Sequence, residues 1–122
     1  MSGWDPRPVF FVGDVERSLA FYTDRLGFRE TNRYAEDGEV LVGGLERDGC
    51  RLLLSCQEPR KNGHARYWIL LGLDTYQAFR HELEGKGVAI KDDWWGMDTM
   101  IIEDPDGNEL FFPVPNPTTE GA

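Results

Sequence analysis

Apolar and polar residues alternate in short bursts along most of this chain, and two stretches leave that rhythm for a helical one. After Asp14, apolar residues recur at Val15, Leu19, Tyr22 and Leu26 and stop at Gly27; after Asp74 they recur at Tyr76, Phe79 and Leu83 and stop at Gly87. A spacing near 3.6 residues predicts one amphipathic helix in each place. An Asp side chain accepts hydrogen bonds from the free N–H groups at a helix start, and glycine takes the left-handed conformation at its end. Asp74 with Gln77 also has capping-box spacing. Both starts and both stops lie 60 residues apart, so the chain reads as a duplicated unit.

A short apolar run precedes each helix, at 8–12 and 67–73, and three strand-like stretches follow it, at 28–34, 40–45 and 50–56 and again at 88–92, 97–103 and 109–114. Asp37-Gly38 and Asp48-Gly49 are hairpin signals, and Asp104-Pro105-Asp106-Gly107-Asn108 is the last turn. The predicted fold is α+β: two βαβββ modules, 7–57 and 66–114, in a single 1–122 domain. The polar residues 57–65 read as the linker and 115–122 as a flexible tail. One helix covers only one face of a four-stranded sheet. The two uncovered faces are therefore expected to curl toward each other as a curved-sheet cleft, which suits a small molecule better than a nucleic acid or peptide.

The run Val12-Gly13-Asp14-Val15-Glu16-Arg17-Ser18-Leu19-Ala20-Phe21-Tyr22, then Leu26-Gly27-Phe28, resembles the opening of the glyoxalase/bleomycin-resistance/extradiol-dioxygenase superfamily, the vicinal-oxygen-chelate proteins. Asp104-Pro105-Asp106-Gly107-Asn108 resembles its closing turn. The resemblance implies a divalent metal, in the superfamily's enzymes, held by His, Gln or Glu near the start of the first strand, at the start of the fifth, and three residues after the closing-turn Asn. Those places fall here at about Arg7 or Pro8, at Trp68 (or Tyr67), and at Phe111. None offers the carboxylate oxygen or imidazole nitrogen that a divalent cation needs. His64 and His81 read as a loop and a helix-surface histidine, and Glu109, which shares strand parity with Phe111, is one carboxylate beside a turn. Neither a metal nor a cofactor is expected.

Other chemistry is equally poorly supplied. The residues contain no P-loop, no G-x-G-x-x-G and no G-x-S-x-G turn around Ser55. Cys50 and Cys56, on one strand, would share a face about 20 Å apart, beyond disulfide reach, and read as free thiols. What remains is aromatic: Tyr67-Trp68, Trp94-Trp95 and Phe111-Phe112. Adjacent strand residues face opposite sides, so one of each pair is expected in the core and the other at a cleft or interface. Trp95 beside Gly96 resembles the bleomycin-resistance branch in particular, as do Thr23-Asp24-Arg25-Leu26-Gly27-Phe28 and Gly72-Leu73-Asp74. That branch implies a homodimer that sequesters a cationic glycopeptide antibiotic without metal ligands. The stretch from Arg29 to Arg47 departs from it by its length.

Charge enters last because it sharpens this reading. Thirteen Lys and Arg against 22 Asp and Glu give a net charge of −9, which disfavours nucleic acid and anionic membrane as partners and favours a cationic guest. No apolar run nears the roughly 20 residues of a membrane span, and the first residues lack a signal peptide's pattern, so a cytoplasmic protein is expected. The sequence therefore predicts a non-catalytic binding protein for a planar or cationic small molecule. Its predicted ligand-binding residues are Trp95, Trp68, Phe111, Trp94 and Glu109. The alternatives are a metal-dependent lyase or oxygenase with atypical ligands, Glu109 and His64 being the candidates, and a partner domain with a vestigial cleft.

Overall fold

In the computed structural model, residues 3–115 are described. They form two compact units, one holding the chain up to Ala65 together with Asp104–Asn108, the other holding Arg66–Glu103 and the residues from Glu109 onward. In the first, β1 (Val9–Phe11) leads into α1 (Val15–Ala20), followed by β2 (Arg29–Glu36), β3 (Glu39–Arg47) and β4 (Cys50–Ser55). The sheet order is β1-β4-β3-β2, with β1 parallel to β4 and the remaining pairs antiparallel. In the second, β5 (Arg66–Trp68), α2 (Leu73–Gly85), β6 (Lys91–Trp94), β7 (Asp98–Glu103) and β8 (Glu109–Pro113) give the same order, β5-β8-β7-β6, with β5 parallel to β8. This is the twice-repeated βαβββ pattern. Most of the tail expected at 115–122 lies outside the described residues.

The first helix starts as its sequence predicts. Asp14 is extended (φ −142°, ψ 106°) and its carboxylate accepts from the Arg17 N–H at 3.1 Å. The turn widens to a π-helical segment over Phe21–Arg25 and the chain leaves it at Gly27, φ 71°. Val15, Ser18, Leu19, Tyr22 and Leu26 are buried. Leu19 packs over Gly43 of β3 so closely that a Cβ there would stand 2.9 Å from its Cδ2, so the glycine lets the helix approach the sheet.

The second helix corrects the sequence reading. Its opening bond runs from the Tyr76 N–H to the Gly72 carbonyl (2.8 Å), so α2 begins at Leu73 with Gly72 as its cap and Asp74 inside the first turn. There Asp74 favours the helix dipole but cannot cap, and the expected Asp74–Gln77 box is not formed. The helix end is as predicted: Gly87 has φ 68°, and the Val88 N–H closes onto the Leu83 carbonyl (3.0 Å). That bond delays β6 to Lys91, later than the predicted 88, and the early start of α2 shortens β5 to Arg66–Trp68. Both hairpin signals form, with Asp37 and Gly38 at φ 50° and 81°, and Asp48 and Gly49 at 49° and 86°, the paired left-handed conformations of a type I′ turn. Cys50 and Cys56 are free thiols.

Residues 57–65, which lead from the first βαβββ set to the second, are folded onto the first unit. They contain a 3-10 turn over Pro59–Lys61, and tie back through the Gly63 N–H to the Phe11 carbonyl (3.2 Å). Gly63, at φ 78°, lies so close to the Asp106 carbonyl that any Cβ would collide with it.

The first unit closes around Asp104, which is 5% exposed. Oδ1 accepts from the backbone N–H groups of Asp106 and Asn108 (2.9 Å each), and Oδ2 from Asn108 Nδ2 (2.9 Å) and the Tyr22 hydroxyl (3.1 Å). Asn108 in turn donates to the Phe11 carbonyl (3.1 Å) and accepts from the Ala65 N–H (2.9 Å), while Asp106 accepts from the Gly13 N–H (3.0 Å) and pairs with Arg17 (3.2 Å). Burial pushes the Asp104 carboxyl above its ordinary range despite these donors, and burial, then the Asp104 charge, pushes the Tyr22 phenol well up. Because a buried donor left without its acceptor is costly, Asp104→Ala should lower unfolding stability by about 3 kcal/mol and Tyr22→Phe by about 1 kcal/mol in urea denaturation. An Asp104→Ala protein as stable as the parent would contradict this assignment.

Candidate functional site

Strand register determines which side chains share a face in the second unit. Arg66 pairs with Glu109 and Trp68 with Phe111 across β5 and β8, and Ile101 of β7 pairs with Phe111 on its other side. These residues therefore lie on one face of the sheet. Tyr67, Leu110 and Phe112 lie on the other, where Phe79 of α2 meets Phe112 with ring centroids 5.1 Å apart. The helix thus occupies the second face, and the aromatic cluster sits on the first.

Within the cluster Phe111 is the support. It is 3% exposed, with the Trp68 ring 5.8 Å away, tilted by 43°, and the Trp95 ring 5.1 Å away, edge-on at 66°. Trp68 and Trp95 are 45% and 44% exposed, so each indole leans on Phe111 and still shows much of its surface. Trp95 lies beyond the end of β6, in a turn closed by its N–H to the Met97 carbonyl (3.0 Å), with Gly96 at φ 77°. Such a conformation suits glycine, and it carries the indole toward Phe111.

Trp94 stands apart. It is 68% exposed, pairs with Asp98, and lies two residues beyond Asp92, whose carboxylate takes a bidentate pair of bonds from Arg80 of α2 (2.8 and 2.9 Å). Trp94 is therefore on the helix side of the sheet. The expectation that one of Trp94 and Trp95 enters the core is not met: both are exposed. Alternation holds for Phe111 and Phe112, which take opposite faces, but there both members are buried.

Glu109, one carboxylate beside the closing turn, has a partner. It accepts from Arg66 Nε at 3.0 Å, its side chain 16% exposed against 60% for Arg66. The same guanidinium lies over two rings, its carbon 5.2 Å from the Trp95 centroid and 5.7 Å from that of Phe111, within the range of a cation–π contact. Sequence reasoning missed Arg66. The signal was its position two residues before Trp68, mirrored by Glu109 two before Phe111.

The superfamily's metal positions can be tested on the side chains present. Arg7 pairs with Asp5 (2.6 Å), Pro8 has no donor, and Trp68 and Phe111 form the cluster described above. This set does not fit a divalent cation. Among the described residues no three His, Cys, Asp or Glu side chains converge in a manner that could hold a metal ion, and His64 and His81 are exposed. A separate depression in the first unit, about 380 Å³, is lined by Asp14, Glu16, Glu39 and Cys56 among others, but Asp14 is committed to capping α1.

Residues 6–112 match the Glyoxalase/Bleomycin resistance protein/Dioxygenase superfamily. The chain belongs to this superfamily. It is 28% identical to the bleomycin resistance protein of Geobacillus stearothermophilus, across 86% of this chain and 92% of that one. The bleomycin-binding protein of bleomycin-producing Streptomyces verticillus, solved with copper(II)-bleomycin, superposes with a TM-score of 0.70 at 21% identity, over 95% of this chain and 99% of that one. TnmS3, an antibiotic binding protein from a Streptomyces species, gives 0.68 at 22%, over 95% and 100%. These likenesses agree with the two-unit superfamily fold.

Phe111 as buried support and Trp95 as surface make opposite predictions for stability. Phe111→Ala should cost about 3 kcal/mol in urea unfolding, as large buried rings do. Trp95→Ala should cost about 1 kcal/mol or less, since surface substitutions are mild. The reverse ranking would contradict this division of roles.

Proposed function

We propose that this protein sequesters a planar or cationic small molecule, without metal or chemistry, on the surface made by Trp68 and Trp95 over Phe111. The observation that carries this reading is a pair of half-exposed indoles, each packed against the one buried Phe111 ring, which turns apolar ring surface toward solvent on one face of the sheet. The superfamily relatives named as bleomycin resistance and antibiotic binding proteins support it. Of the two ligand descriptions, planarity is favoured by the indole faces and positive charge by the net charge of −9. In the same reading the protein is a homodimer of the cytoplasm, its exposed Leu70, Trp94 and Met97 suiting contact with a second copy. No helix among the described residues is long and apolar enough to cross a membrane.

Titration with bleomycin and with planar aromatic compounds of either charge, followed by tryptophan fluorescence, tests the reading. Stacking on an aromatic ring contributes about 1–3 kcal/mol per ring in comparable sites, so Trp95→Ala should weaken binding at least about fivefold. Unaltered affinity in both Trp95→Ala and Trp68→Ala, or no quenching by any compound, would overturn it.

A further inference from the structure

We infer that Arg66 sets the charge preference of the aromatic surface, admitting flat ligands with an anionic or hydrogen-bond-accepting edge and turning away flat cations. The inference rests on the reading of Trp68 and Trp95 as a stacking surface, and it narrows that reading to one ligand class. The place a cation would take, over the Trp95 ring and beside Phe111, is already held by the protein's own guanidinium at 5.2 and 5.7 Å. The carboxylate that would pair with such a cation is engaged as well, through Arg66 Nε to Glu109 at 3.0 Å. An arriving cation must displace Arg66 from both partners or lie beside a like charge.

The open groups around the two indoles donate, and the acceptors on this face are the second oxygen of Glu109 and Glu103, which pairs with Glu109 across β7 and β8. The two terminal nitrogens of Arg66 and the indole N–H groups of Trp68 and Trp95 have no hydrogen-bond partner among the described residues. A guanidinium edge is planar and matches a carboxylate in a bidentate fork, and an indole N–H can only donate. A flat ring stacked on Trp68 or Trp95 with a carboxylate at its edge would therefore meet complementary groups, whereas an ammonium edge would meet only Glu103 and the second oxygen of Glu109, whose first oxygen already takes Arg66. The overall charge of −9 does not reverse this. Exposed charges act weakly beyond a Debye length of about 8 Å at physiological salt, while Arg66 touches the site itself.

The experiment measures binding of 2-naphthoate and N-methylquinolinium, two-ring probes of like size and opposite charge, at 0.15 M salt (roughly physiological) by tryptophan quenching. The parent protein should hold 2-naphthoate at least about tenfold more tightly. Arg66→Gln should lose about tenfold for 2-naphthoate and gain for N-methylquinolinium, because Glu109 is uncovered, so that the preference inverts. Arg66→Lys should keep the sign of the preference and lose part of its size, since an ammonium lacks the planar fork. A parent preference for N-methylquinolinium, or an Arg66→Gln protein in which both affinities move together or neither moves, would overturn the inference and leave the stacking reading intact. Binding of neither probe by any of the proteins, or 2-naphthoate binding untouched by Trp95→Ala and Trp68→Ala, would remove the stacking reading and the inference with it.

Discussion

A carboxylate with 5% exposure has to be given donors, and the first unit is arranged around meeting that demand at Asp104. Four hydrogen bonds reach it, from two backbone N–H groups, one side-chain amide and one phenol. Each donor constrains something else. Tyr22 comes from the π-helical turn after α1, so the helix is held in its axial position as well as packed. Asn108 spends both ends of its amide, on Asp104 and the Phe11 carbonyl at one end and on the Ala65 N–H at the other. Asp106 adds bonds to Gly13 and Arg17 at the start of α1. A segment of five residues, distant in sequence from its partners, thereby joins the first strand, the first helix and residues 57–65 of that unit.

The candidate site follows from a different constraint, strand parity. Because β5 and β8 pair in parallel with Arg66 opposite Glu109 and Trp68 opposite Phe111, one charged pair and one aromatic pair fall on the same face, two residues apart. The opposite face is taken by α2 through Phe79 and Phe112. The surface that results carries a balanced ion pair inside a strongly acidic chain. The total charge favours a cation, whereas the open donors of Arg66 and the indoles favour an acceptor, and it is the local arrangement that a bound molecule would touch. Far charges influence how fast a ligand arrives more than which ligand stays.

Much of this was legible in the sequence, and the failures have physical reasons. The order of elements, the hairpin turns and both glycine helix ends depend on local chemistry, which short motifs report. The two Asp starts looked equivalent, yet a cap is defined by whichever residue takes the extended conformation before the first turn, and in Gly72-Leu73-Asp74 that residue is Gly72. Alternation placed Phe111 and Phe112 on opposite faces because both lie within β8. It did not apply to Trp94 and Trp95, since β6 ends at Trp94 and Trp95 enters a turn. Residues 57–65 read as a linker from their polarity; that they also pack on the first unit depends on backbone groups and Gly63, which composition does not register. Arg66 was hidden in a charge total, although its strand position already set it opposite Glu109.

In the proposed reading the ligand contacts two particular indoles of the four tryptophans. Nitrogen-15 NMR of the indole N–H groups resolves Trp4, Trp68, Trp94 and Trp95 separately, with single Trp→Phe variants assigning each signal. On saturation with 2-naphthoate the signals of Trp68 and Trp95 should move and those of Trp94 and Trp4 should stay. Movement of Trp94 or Trp4 with Trp68 and Trp95 unchanged would contradict that reading.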